Sequence, residues 1–210
     1  MTSIKSTIKA TAIKLFNTRG ISSVTMKQIA DNLAISPGNL TYHFKTKVML
    51  VNAIYEQMDA EAVDFMSFEG YVTLHHFEEM MLKFYNFNKR YRFFFNDIVF
   101  ITRQFKEVAR MYESSNLQRF RQGRRLIDYY VESGRMIPEQ EEVDYDKLIH
   151  TIWMVSAFWQ AQAQVIDHAS YGTNKVDTIE MIWPLMFPYL TEKGKQEYKE
   201  MKLYTTKITH

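Results

Sequence analysis

The chain has no cysteine. That excludes a disulfide scaffold and any cysteine-ligated metal site, and it suits a reducing cytoplasm, the expected location. No apolar run approaches the ~18 residues of a membrane span, so no membrane partner is expected. The sequence also lacks a P-loop, a GxGxxG turn, an HExxH helix and a GxSxG elbow, which removes the common nucleotide, metalloprotease and hydrolase readings. Its six histidines are scattered. His75 and His76 are adjacent, so on a helix they point about 100° apart; Glu79, one turn after His75, is the only candidate co-ligand. No cofactor, no metal and no enzymatic activity is expected. There is no Pro/Ser-rich linker, no low-complexity tract and no internal repeat.

Acid is scarce at one end. Residues 1–50 carry Lys5, Lys9, Lys14, Arg19, Lys27, Lys45 and Lys47 against Asp31 alone, a net +6 in a chain whose overall charge is +2. The remainder is therefore net −4. A basic head on an acidic body is the footprint of a chain that presents one end to a polyanion. At 210 residues and 46% hydrophobic content, the chain can build a real core in one large or two small domains.

The most informative stretch runs from Thr25 to Lys47. Thr25 can cap a helix, and Gln28 completes a capping box. Met26, Ile29, Ala30 and Leu33 then fall on one helical face. Ser36 is a second cap, with Pro37 at the first helical position. Leu40 and Phe44 point the same way, which leaves Gly38, Asn39, Thr41 and Tyr42 facing outward. Two short helices pinned by Ile29, Leu33, Leu40 and Phe44 would hold that face rigid, as a helix-turn-helix holds its recognition helix for a major groove. Upstream, a helix over about 3–18 presents Ile4, Ile8, Ala12, Leu15 and Phe16 and stops at Gly20. Downstream, Thr46 can cap a further helix. Lys47 then sits in its first turn, where a phosphate would relieve the conflict with the helix dipole.

The run Ser36-Pro37-Gly38-Asn39-Leu40, then His43-Phe44, then Lys47, resembles the DNA-binding signature of the TetR family of bacterial transcriptional regulators. Thr25 and Ile29-Ala30 match its preceding helix, and Ala12, Leu15, Phe16 and Gly20 match the one before that. The likeness covers roughly residues 8–55. The chain departs from the family pattern twice. Thr41 stands where the family has Tyr, with Tyr42 one place later; Ala34 stands where the turn has Gly, which suggests a turn that a Cβ can tolerate.

The resemblance implies an all-α protein. An N-terminal three-helix helix-turn-helix DNA-binding domain (1–47) would be joined, by a helix over about 47–66, to a helical effector-binding and dimerisation domain (48–210). It implies DNA contacts from Thr25, Lys27, Ser36, Pro37, Gly38, Asn39, Thr41, Tyr42, His43 and Lys47, with Asn39, Thr41 and Tyr42 nearest the bases and Lys47 on phosphate.

Beyond a hinge at Ser67-Phe68-Glu69-Gly70 the pattern is helical throughout. Helices are expected over about 72–89, 106–133, 145–168 and 176–190. The aromatic segment 91–100 reads as a short buried helix. Gly134 and Pro138 end the long helix, Pro184 and Pro188 predict a kink or break, and the tail after Thr191 reads as a short exposed helix. Aromatic residues crowd positions 84–105, and core packing accounts for most of them. The resemblance implies an effector pocket for an apolar or aromatic molecule, lined here by Phe84, Tyr85, Phe94, Asn96, Val99, Phe100 and Trp153. The last two long helices are more apolar than surface helices should be. Ile152, Ser156, Trp159, Ala161, Ala163, Ile179, Trp183 and Phe187 are the expected homodimer seam, a role the resemblance implies.

The expected function is a ligand-responsive transcriptional regulator, a repressor that binds a pseudo-palindromic double-stranded DNA operator as a homodimer and is released by a small effector. The alternative is a small helical lipid or ligand carrier, or an enzyme, with an incidental basic N-terminus.

Overall fold

The computed structural model describes residues 3–63, 65, 70–166 and 178–208, with side chains to 203. The described residues form eleven α-helices: α1 (Ile4–Arg19), α2 (Met26–Asn32), α3 (Pro37–His43), α4 (Lys47–Ala62), α5 (Leu74–Arg90), α6 (Arg92–Asn96), α7 (Ile98–Gln104), α8 (Lys106–Glu132), α9 (Tyr145–Val165), α10 (Thr178–Met186) and α11 (Glu192–Ile208). A 3-10 turn, Phe187–Tyr189, follows α10. Among the described residues there is no strand, only isolated bridges at Met136–Leu190 and Gln140–Val143. Among the described residues no helix is long and apolar enough to cross a membrane. The expected hinge residues Ser67, Phe68 and Glu69, and the expected helix ends at His168 and Val176, lie outside the described residues.

Several expected boundaries move. α4 stops at Ala62 rather than near residue 66. The aromatic segment forms two helices, broken at Asp97, instead of one. Pro184 sits inside α10 and Pro188 opens the 3-10 turn, so the expected interruption is a tightening after Met186. The tail is no short exposed helix. α11 runs for 17 residues, and its Met201 is buried.

The chain divides into two compact units, one of residues 1–63 and 90–115, the other of residues 64–89 and 116–210. The division differs from the expected cut at residue 47, because α4, α6, α7 and the first turns of α8 cluster with the head.

In the first unit, α1 buries Ile8, Ala12, Leu15 and Phe16, and α4 buries Leu50, Ile54 and Tyr55. Rings from the aromatic segment close this core. Phe16 lies 5.3 Å from Phe93, Tyr55 5.3 Å from Phe94, and Phe94 5.4 Å from Tyr112, centroid to centroid. Such tilted pairs add to the ~1.5–3 kcal/mol that burial of each ring supplies. Asn17 ties α1 to the start of α6. Its Nδ2 donates to the Arg90 carbonyl at 2.7 Å, and its Oδ1 accepts from the Phe93 N–H at 2.9 Å.

In the second unit, α5, α8, α9, α10 and α11 share a core that includes Phe77, Met80, Leu126, Tyr130, Leu148, Ile152, Trp183 and Met186. Asn88, buried on α5, donates to the carbonyls of Ser156 and Ala157 on α9 at 3.2 and 3.0 Å. α11 is fastened by Arg135, whose side chain is fully buried. The Arg135 Nε donates to Glu197 at 2.7 Å, and the other Glu197 oxygen accepts from the Leu74 N–H at 2.8 Å. α11 starts so close to the α8–α9 turn that a Cβ on Gly194 would stand 2.3 Å from the Arg135 carbonyl oxygen.

Candidate nucleic-acid interface

α2 and α3 are positioned by their caps. The Thr25 hydroxyl accepts from the Gln28 N–H at 3.2 Å while the Gln28 Oε1 accepts from the Thr25 N–H at 2.8 Å, the expected capping box. The Ser36 Oγ accepts from the Asn39 N–H at 3.1 Å, with Pro37 opening α3. Ile29, Ala30, Leu40 and Phe44 are buried beneath. Above them Thr25, Lys27, Ser36, Pro37, Gly38, Asn39, Thr41 and Tyr42 are exposed, Tyr42 at 84%, and His43 is half-buried. The Tyr42 ring stands edge-on to His43 at 5.1 Å. Gly38 needs no close approach within the protein: the nearest heavy atom to a Cβ there would be Ser36 Oγ at 3.9 Å. It leaves bare backbone on the outward face.

Two expectations change. Lys47 does not reach outward for a phosphate. Its ammonium donates to the carbonyl oxygens of Ile21 and, at 2.7 Å, Val24, and lies 5.7 Å from the centre of the Phe16 ring. Desolvation lowers its pKa. Two carbonyls of the α1–α2 loop point where α4 begins, and the lysine satisfies them. Ala34, expected in a turn that tolerates a Cβ, instead holds φ at 53°, in the left-handed region. Apart from glycines, no other described residue does so, and the side chain makes the turn strained.

A cavity of about 80 Å³ opens in the second unit between α5, α8 and α9. Its wall is apolar, with Phe77, Met80, Met81, Phe120, Ile127 and Ile149 around Gly123 and Ser156. Of the expected pocket residues, Phe84 and Trp153 line it. The others do not. Phe94 is buried in the core of the first unit; Val99 and Phe100 are 58% and 43% exposed, and Asn96 is exposed. Tyr85 is half-buried, its carbonyl accepting from Gln160 at 3.0 Å. The rings of α6, Phe93, Phe94 and Phe95, are buried in packing and do not line this cavity. The cavity itself is marked by three apolar stripes at i, i+3 or i+4, and i+7, two of them carrying a small residue: Phe77-Met80-Phe84, Phe120-Gly123-Ile127 and Ile149-Trp153-Ser156. The small members leave the void.

The expected seam residues divide as well. Ile152, Ser156, Ala163 and Trp183 are largely buried within the single chain, and Trp183 donates to Glu78 at 2.7 Å. Trp159, Ala161 and Ile179 are half-buried and Phe187 is exposed. On α9, Met154 and Val165, which were not among the expected seam residues, are 52% and 82% exposed. The candidate pair His75 and Glu79 does meet, at 3.5 Å. Among the described residues no group of three potential ligands could hold a metal ion.

Comparison with protein families matches residues 8–54 to "Bacterial regulatory proteins, tetR family" and residues 54–198 to the TetR "Bacterial transcriptional repressor" family. No curated protein matches in sequence. Among solved structures, a TetR-family transcriptional regulator from Marinobacter aquaeolei VT8 superposes with a TM-score of 0.85 at 21% identity, covering 96% of this chain and 98% of that one. The ketosteroid transcriptional regulator KstR2 of Mycobacterium tuberculosis gives 0.64 at 15% identity, covering 91% and 97%. A SmeT–triclosan complex gives 0.59 at 13% identity, covering 90% and 92%. Identities this low establish a shared fold. The two family matches together run from the helix-turn-helix through the second unit to residue 198, and the chain belongs to the TetR family of bacterial transcriptional regulators.

Proposed function

We propose that the chain is a ligand-responsive repressor of the cytoplasm. It binds a pseudo-palindromic operator as a homodimer and leaves it when a small apolar or aromatic molecule occupies the cavity between α5, α8 and α9. It acts by binding and not by catalysis. The observation that carries this reading is the outward face of α3, capped at Ser36 and exposed at Gly38, Asn39, Thr41 and Tyr42, on a segment with seven cations and one acid.

Three further observations support the finer parts. Met154, Phe158, Ala161 and Val165 repeat at i, i+4, i+7 and i+11 on α9 and are exposed or half-buried, a stripe suited to a second copy. The cavity wall suits ring compounds; KstR2 is a ketosteroid regulator, and SmeT is seen with triclosan. α8 contributes to both units. Tyr112 stands 6.4 Å from Tyr55 and Ser115 donates to Asp59, both on α4, while Phe120, Gly123 and Ile127 line the cavity. A ligand that favours one setting of α8 would thereby bias α4, typically by 1–3 kcal/mol of coupling.

The test is sedimentation of the protein alone and with a duplex selected from genomic fragments, followed by titration of apolar ring compounds. A dimer that binds with sequence preference and is released by such a compound is expected. A monomer, or binding with no sequence preference at moderate salt, would overturn the reading.

A further inference from the structure

α3 carries no arginine or lysine; between Pro37 and Phe44 its polar side chains are Asn39, Thr41, Tyr42 and His43. The absence has a chemical meaning. Guanine is most often read in the major groove by a bidentate Arg or Lys on O6 and N7, adenine by a bidentate Asn or Gln on N6 and N7, and thymine by apolar contact with its C5-methyl group. Asn39 is exposed, and it is its backbone N–H that Ser36 holds, which leaves the side-chain amide available to a base edge. Thr41 is exposed too, but its hydroxyl is folded back onto α3. Oγ1 donates to the carbonyls of Pro37 at 3.0 Å and Gly38 at 3.1 Å. With its proton spent inside the helix, the Thr41 hydroxyl has no donor left for a base, and its methyl group is the apolar contact the residue can offer.

We infer that α3 reads an A·T core in each half-site, with Asn39 bonded to adenine and the Thr41 methyl packed on a thymine methyl. The inference rests on α3 being the DNA-reading helix. The neighbouring cations Lys27 and Lys45, both exposed, then supply phosphate attraction without base preference.

The experiment selects bound duplexes from a random pool with the full-length protein and measures affinity for the winner and for modified copies of it. Enriched half-sites should hold A·T pairs at the positions α3 covers. Replacing the contacted adenine by 7-deazaadenine, which removes one acceptor, should weaken wild-type binding roughly five- to hundredfold. Replacing the contacted thymine by deoxyuridine should weaken it severalfold in the wild type and leave Thr41→Ser, which has no methyl, unmoved. Asn39→Arg should move the preference at its position toward guanine. Enriched half-sites with G·C at the α3 positions, or a wild type indifferent to both base modifications, would overturn the A·T assignment while leaving the DNA-binding role intact. A pool in which nothing is enriched would overturn the role itself and the assignment with it.

Discussion

The Lys47 ammonium donates to the Val24 carbonyl oxygen at 2.7 Å and to that of Ile21, so a cation in the first turn of α4 serves the loop between α1 and α2. Lys47→Met keeps the stem over Phe16 and removes the donors. We expect the head to lose about 1–3 kcal/mol, as for hydrogen bonds to a charged group, read as a lower urea midpoint. The salt dependence of DNA binding should keep its slope. Lys27→Ala should do the reverse, leaving stability unchanged and lowering the slope by about one charge. A reduced salt slope in Lys47→Met would return this lysine to the phosphates.

The strain at Ala34 predicts a stabilising exchange. A left-handed residue with a side chain costs about 1–2 kcal/mol, and glycine returns part of that gain through its freer unfolded chain. Ala34→Gly should raise stability by about 0.5–1 kcal/mol with DNA binding unaltered. Calorimetry showing a lower melting temperature would mean that the Ala34 methyl contributes packing that outweighs its strain.

Gly38 predicts the opposite trade. Nothing in the protein crowds a Cβ there, and alanine in a helix is about 1 kcal/mol better than glycine. Gly38→Ala should therefore melt higher. It should also bind operator more weakly, because the added methyl stands on the face proposed to meet the duplex. Equal or tighter binding by the more stable variant would show that α3 does not approach DNA closely at this residue.

The cavity can be filled from α8. Gly123→Val puts three carbons into the void from a position where helix propensity also improves. The expected result is equal or higher stability, with ligand response lost and operator binding retained. A tightly filled site would instead cost about 1–3 kcal/mol, and thermal unfolding separates the two outcomes.

Acid sensitivity should trace to the connector before α9. Glu139 accepts from Arg124 at 2.7 Å and from the Tyr145 N–H at 3.1 Å, and these bonds hold its carboxyl below the usual range. A carboxyl that is more acidic folded than unfolded takes up its proton first in the unfolded chain. Its contribution is present above the unfolded value and is lost as pH falls through the folded one. Glu139→Gln should flatten the fall in urea midpoint between about pH 6 and about pH 3. A variant with the same acid limb as the wild type would place the sensitive carboxylate elsewhere.

Where the sequence spoke through local chemistry, it was legible. Thr25, Gln28, Ser36 and Pro37 act on their own helix turns, and the helix-turn-helix followed from them without knowledge of the rest. The cavity was hidden because it is a property of three helices at once. Gly123 and Ser156 look unremarkable in their own segments, and only the meeting of α5, α8 and α9 turns their small size into space. Lys47 was misplaced for a similar reason. Its partners are carbonyls 23 and 26 positions away, and a backbone oxygen leaves no mark in a sequence. The rings of α6 were visible but ambiguous, since Phe93 and Phe94 look alike whether they line a hole or fill one.

The clamp of Arg135, Glu197 and the Leu74 N–H orders events in time. Leu74 and Glu197 are 123 positions apart, so their contact is non-local and belongs with the slow-forming ones. Arg135 cannot be taken out of water before its carboxylate arrives, because a buried cation without a partner is several kcal/mol uphill. We expect the second unit to assemble α5, α8, α9 and α10 while the seat of α11 stays wet, and to close when Glu197 is delivered. The Leu74 amide should accordingly be among the last to gain protection in pulse-labelled refolding.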